Sequence, residues 1–330
     1  MVAALLVWWL KGALSVLFWG ALIAYILSPL VALGRRLGLS RTASVIATFA
    51  ALAAALGLLA WLIVPSLGRE AAGIARQMPE WSHEASLLAA RAHSWYEHLH
   101  LPPAVARGVE NNLAAVERQV ASFFGRAGDG LVKAVPAAVQ VVLAPIVAAY
   151  LLIEAPRLRR GILVLFPLGF RPHLEELAWR LDRNLGGFLR GQILVATVVG
   201  LLAGLTVTLF GLGYGLMVGV IAGATDVIPY VGPVIGAIPA LLLALVKTPG
   251  EVVWVALAFF VVHQLEGGML SPALVGMEMG LKPLAVLLAL FLGGEMAGVP
   301  GLLLAVPVAG ALVVVARWAW NLFTLPPAYR

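Results

Sequence analysis

The chain has 330 residues, of which 62% are hydrophobic and only 12% charged, and its mean hydropathy is +0.99; an ordinary soluble domain is excluded. It has no cysteine, so a disulfide framework or a cysteine-based metal site is excluded too. The formal net charge of +6 is assigned to basic loops at one membrane face, and no nucleic-acid partner is expected.

In chain order, residues 2 to 33 are nearly all apolar, interrupted by Lys11 and closed by Ser28-Pro29. They lack the basic start and the cleavage site of a signal peptide and read as a retained anchor. One long helix, or a short helix followed by a full span, fits equally well. The loop "GRRLGLSR" follows, and residues 43 to 64 form a second span ending at Pro65. From 66 to 130 acidic and basic residues nearly balance, and prolines stand at Pro79, Pro102 and Pro103. Two apolar stripes at helical spacing, Trp81 to Trp95 and Val105 to Phe123, predict an extramembrane amphipathic insert. Residues 134 to 153 span again. Residues 154 to 190 hold seven arginines against four acids, with Leu174, Leu177, Leu181, Leu185 and Phe188 on one face of a basic amphipathic helix. Another span covers 192 to 212, where Gly200 and Gly204 suit close helix packing. The expected units are 1–65 (N-terminal spans), 66–130 (extracytoplasmic insert), 131–153 (one span), 154–190 (cytoplasmic basic segment) and 191–330 (transport core). Arg35, Arg36, Arg41 and the 154–190 arginines orient the chain, and Arg317 and Arg330 place the C-terminus in the cytoplasm of a plasma-membrane protein.

Beyond residue 213 the apolar runs no longer match simple spans. "GYGLMVGVIAGATDVIPYVGPVIGAIPALLLALVK" is two apolar arms of about 15 residues, roughly 22 Å each, around a proline- and glycine-rich break. "LKPLAVLLALFLGGEMAGVPGLLLAVPVAGALVVVA" has the same build. Lipid cannot satisfy freed backbone groups, so such breaks persist only inside protein or beside a watery cavity. Paired interrupted segments point to a transporter binding site. Two re-entrant-like helical hairpins are expected; four kinked spans are the alternative.

The motifs "FLRGQIL" (188–194), "TDVIPYVGPVIGAIPA" (225–240), "HQLEGGMLSPALVG" (263–276) and "LKPLAVLLALFLGGEMAGVPGLLLAVPVAGAL" (281–312) resemble the autoinducer-2 exporter family. The likeness extends to "AYILSPLVALGRR" and "LIVPSLGRE" near the front, so it covers essentially the whole chain, with a short N-terminus as its one departure. The resemblance implies an all-α polytopic protein and export of a small solute, autoinducer-2 or a related polar molecule. Other members resemble sodium or lithium/proton antiporters, so the substrate stays open.

Charges within a bilayer cost roughly 2.5 to 3.5 kcal/mol each on insertion scales and turn to a partner, a cavity or a proton path. Asp226 beside the first break, Glu266 after "HQL" and Glu295 beside the second break are therefore the ion-binding candidates. Pro229, Tyr230, Gly232, Pro233 and Gln264 complete the candidate set: unwound backbone, a hydroxyl with its ring, and an amide. His263 and Glu266 share a helix face, but two ligands do not make a zinc site, and no metal or cofactor is assigned. The histidines of "HSWYEHLH" (His93, His98, His100) are read as incidental. No HExxH, Walker A or G-x-S-x-G pattern occurs, and no enzyme is expected. The expectation is an all-α membrane protein with about seven or eight membrane segments. It would act on a small molecule or ion as a homo-oligomer in the bilayer. A proton-coupled exporter, a cation/proton antiporter and a non-transporting scaffold are the three functional readings.

Overall fold

The computed structural model describes residues 11–97, 135–271 and 281–324, and every regular element within them is helical. The helices are α1 (Lys11–Arg36), α2 (Arg41–Glu97), α3 (Val135–Val164), α4 (Arg171–Leu209), α5 (Gly215–Asp226), α6 (Val231–Lys247), α7 (Val252–Leu265) and α8 (Pro283–Thr324). Five described stretches are long and apolar enough to cross a membrane: Ser15–Arg36, Arg41–Ile74, Leu168–Leu209, Val252–Leu270 and Pro283–Asn321. The all-α polytopic expectation holds.

Several expected boundaries fall inside helices. The second span does not stop at Pro65: α2 continues through Pro65 and Pro79 to Glu97, 57 residues or about 85 Å. A proline removes one ladder bond at a cost of about 3 kcal/mol, and here long runs of good helix formers flank each one. Likewise α3 runs past residue 153, and α4 fuses the basic amphipathic element to the following span in one 39-residue helix. The predicted stripe on α4 is real: Leu174, Leu177, Leu181 and Leu185 are partly shielded and Phe188 is buried. The Val105–Phe123 stripe lies outside the described residues, as do His98 and His100.

Packing divides the helices into two groups. In the first, α1, α3 and the start of α2 share a core of Ala24, Leu27, Val31, Val45, Ala148 and Leu152. In the second, α4 is the axis. Gly200 and Gly204 admit Gly215, Gly219 and Gly223 of α5 so closely that a Cβ on Gly200 would meet the Gly219 carbonyl oxygen at 2.7 Å. Val207, Val218, Ala240, Val255 and Phe259 tie α4 to α7 in one core, which Ile74 of α2 also enters.

Both interrupted segments are hairpins. Helices α5 and α6 have 12 and 17 residues, about 18 and 25 Å, short of a hydrocarbon core of about 30 Å. They lie against each other, with Gly236 facing Ala222 and Thr225. In α8 the chain reverses at Gly298 (φ 61°, ψ −137°), a conformation essentially reserved for glycine. The arms 283–297 and 299–324 then fold back so that Gly301 abuts the Gly293 carbonyl. Phe188, Val286, Leu290, Ala305 and Val306 seat this second hairpin on α4, and Ile228 from the first hairpin's turn joins them.

Candidate functional site

The first hairpin turns over residues 227–230. Pro229 cannot donate to a helix ladder, and Tyr230 takes a positive φ of 64° before α6 begins. Pro233 falls in the first turn of α6, where its missing N–H has no intrahelical acceptor to lose. The Gly232 N–H donates to the Ile228 carbonyl at 2.8 Å. A side chain on Gly232 would overlap the backbone of Asp226 and Thr225, so close approach requires glycine there. The Thr225 hydroxyl donates toward the carbonyls of Ile221 at 2.9 Å and Gly232 at 3.3 Å, clamping the two arms. Gln192 of α4 donates Nε2–H to the Asp226 carbonyl at 2.7 Å. The end of α5 is thus fixed by a neighbouring helix and by its own hairpin partner.

This fixed point presents the Asp226 carboxylate to the interior. Asp226 is 1% exposed, and among the described residues neither carboxylate oxygen has a hydrogen-bond partner. Opposite it, α7 ends in a π-turn over Glu266–Leu270, a widened backbone frequent at functional sites. His263 Nδ1 lies 3.0 Å from Glu266 Oε2, and His263 Nε2 is buried with no partner among the described residues. Asp226, His263 and Glu266 each offer a ligand atom within 4.8 Å of the others. With Glu266 ionised, the imidazole donates Nδ1–H to it and keeps a lone pair on Nε2. Two carboxyl groups and that lone pair form a donor set with room for a proton or a small cation. A buried carboxylate without partner is costly, and binding either one relieves the cost.

The sequence-derived candidates divide. Asp226 and Glu266 come together; Pro229, Gly232 and Pro233 shape the turn that holds Asp226. Tyr230 is 54% exposed, and Gln264 and Glu295 are also exposed; none of these three belongs to the cluster. His263, set aside as one ligand of an incomplete zinc pair, is the third member, because the hairpin brings Asp226 to it. Gln192 was not singled out, although it is the lone amide of "FLRGQIL". Glu70 carried no local signal: from α2 its Oε2 accepts the Met217 N–H at 2.8 Å, capping the first turn of α5 across 147 residues of sequence.

Similarity to known proteins agrees with this architecture. The family model described as "AI-2E family transporter" matches residues 1–319. The chain is 29% identical over 300 residues to "Putative transport protein YrrI" of Bacillus subtilis, covering 88% of this chain and 82% of that one. It is 25% identical over 309 residues to the similarly named YueF of the same organism, covering 89% and 82%. Over 143 residues it is 31% identical to "Putative transport protein MT0215" of Mycobacterium tuberculosis, covering 43% of this chain and 39% of that one. A helical membrane architecture with paired broken hairpins and a match along nearly the whole chain lead to one assignment: the protein belongs to the AI-2E transporter family.

Proposed function

We propose that the protein exports a small polar solute and that a proton or small cation at Asp226, His263 and Glu266 drives the cycle. The observation that carries this reading is the Asp226 carboxylate, fully buried at a helix break, unpartnered among the described residues, and facing a histidine and a second acid. With the site filled, the negative charge at Asp226 is offset and the hairpin can cross the low-dielectric barrier. With the site empty, an ionised carboxylate opposes that movement. The His263–Glu266 pair would serve as the relay through which the proton or cation enters and leaves. The family description favours an autoinducer-2-like solute, and unwound backbone around Pro229 and Gly232 offers groups to bind its hydroxyls. Cation/proton antiport is the second reading, favoured by the same donor set, which needs no organic substrate.

Purified protein in liposomes, assayed in parallel for autoinducer-2 efflux and for sodium- or lithium-driven proton movement, tests both. Export predicts solute flux that responds to a pH gradient, with Asp226→Asn retaining downhill flux but losing the response. Antiport predicts cation-dependent proton flux without solute, abolished by Asp226→Asn. Wild-type rate and pH profile in both Asp226→Asn and Glu266→Gln would remove the site from the mechanism.

A further inference from the structure

Away from the hairpins, the end of the first helix group holds a cavity in two parts. Arg35 lies in the last turn of α1, Arg41 begins α2, and Arg159 and Arg160 lie near the end of α3; all four line a space of about 540 Å³ with one carboxylate, Glu175 of α4. Beside it lies a second space of about 500 Å³, walled largely by apolar side chains including Ala24, Leu151, Leu158, Ile162 and Leu174, with Asp182 also at its wall. Ala155, Arg159, Leu163 and Glu175 line both, so the two adjoin.

The charges in the mouth are poorly balanced. Glu175 reaches only Arg159, at 3.5 Å between half-exposed side chains. Arg41 donates Nε–H to the Leu152 carbonyl at 2.6 Å, and Arg160 to the Pro156 carbonyl at 3.3 Å; these bonds hold the side chains in place but do not neutralise them. No carboxylate pairs with Arg35, Arg41 or Arg160 among the described residues. Arginines at a membrane face are ordinary. Four gathered over one cavity repel each other, and their forked donors match the oxygens of a phosphate. A largely apolar space adjoining a basic one fits a ligand with a charged head and a hydrocarbon tail. Basic pockets between membrane helices bind anionic headgroups in this way.

We propose that this cavity is a binding site for one anionic phospholipid, its phosphate on Arg35, Arg41 and Arg160 and an acyl chain in the apolar limb. Bound there, the lipid joins α1 and α3 to α4. Tyr25, which donates its hydroxyl hydrogen to the Asp182 carbonyl at 2.8 Å, links α1 to α4 at the same place.

The test uses the full chain purified in a neutral detergent. Native mass spectrometry and thermal unfolding are read with added phosphatidylglycerol, phosphatidylcholine, glycerol phosphate or inorganic phosphate. Phosphatidylglycerol should bind one per protomer and raise the unfolding midpoint, while phosphatidylcholine should not. Arg35→Gln with Arg160→Gln should weaken phosphatidylglycerol binding about thirtyfold, the attraction of two surface charges. Arg36→Gln with Arg157→Gln removes the same charge outside the cavity and should leave binding within about twofold. Ala178→Trp fills the apolar limb and should lose the lipid while the circular dichroism stays helical. The proposal is overturned if both charge pairs weaken binding equally or if phosphatidylcholine binds as tightly as phosphatidylglycerol. Glycerol phosphate or inorganic phosphate matching the lipid would overturn it too, since the site would then serve a soluble phosphate.

Discussion

The two hairpins use the same punctuation and hold different contents. Each has a tight reversal, arms packed closely through glycine and an acid near the turn. In the first, the acid is the last residue of α5 and points into the protein, where Asp226 meets His263 and Glu266. In the second, Glu295 precedes the Gly298 reversal by three residues and is exposed. Three residues are nearly one helical turn, yet α7 supplies no partner there. A helix break in a membrane protein thus makes room for chemistry without specifying it; what a neighbouring helix sets opposite the break decides.

The largest effect that would sharpen this contrast is on transport. Asp226→Asn should lower gradient-driven transport roughly hundredfold, equivalent to about 3 kcal/mol of lost ion binding, with membrane insertion unchanged. Liposome flux at several pH values measures it; retention of more than half the wild-type rate would make the first hairpin no different from the second. His263→Gln comes next, with an expected loss of about tenfold. Its signature is a flattened pH profile, because the amide keeps a hydrogen bond to Glu266 but cannot relay a proton. An unchanged profile would leave Asp226 acting alone.

Stability should respond at the turns. Gly232→Ala forces a side chain onto the backbone of Asp226 and Thr225 and should cost about 1 to 3 kcal/mol. Thermal unfolding in detergent reads the loss, and an unaltered midpoint would mean the turn is looser than its packing indicates. The smallest effect belongs to Glu295→Gln: transport within about twofold of wild type and stability within about 0.5 kcal/mol. A loss as large as that of Asp226→Asn would place the second break in the same mechanism and dissolve the contrast.

These differences also mark how far the sequence could be read. Apolar length identified the membrane helices, and the spacing of Pro229, Gly232 and Pro233 identified the first break, because both signals are local. The helices run on through the expected unit boundaries at 65, 153 and 190, where proline and charge suggest stops, because continuous helix outweighs them. Asp226 and Glu266 were legible as charges in apolar surroundings. That they share a cluster with His263, while Glu295 does not, depends on how α7 packs beside the α5–α6 turn. Local patterning is silent on that packing. Gln192 and Glu70 are harder still, since each acts on a hairpin backbone far away in sequence.

The unbroken α2 helix gives the molecule a mechanical property. At about 85 Å it is nearly three times the hydrocarbon thickness, far longer than one crossing needs. Partway along, Glu70 grips the first turn of α5 and Ile74 enters the core beneath it, giving the rod a fulcrum at the base of the first hairpin. From that pivot Glu97 lies about 40 Å away along the rod, and a tilt of roughly 5° would swing it by about 3.5 Å. Were the hairpin to move as proposed, its displacement would be amplified into travel at the far end of a lever. A spectroscopic distance probe on that end, in a chain with no cysteine to remove, would follow the hairpin's stroke without touching the site.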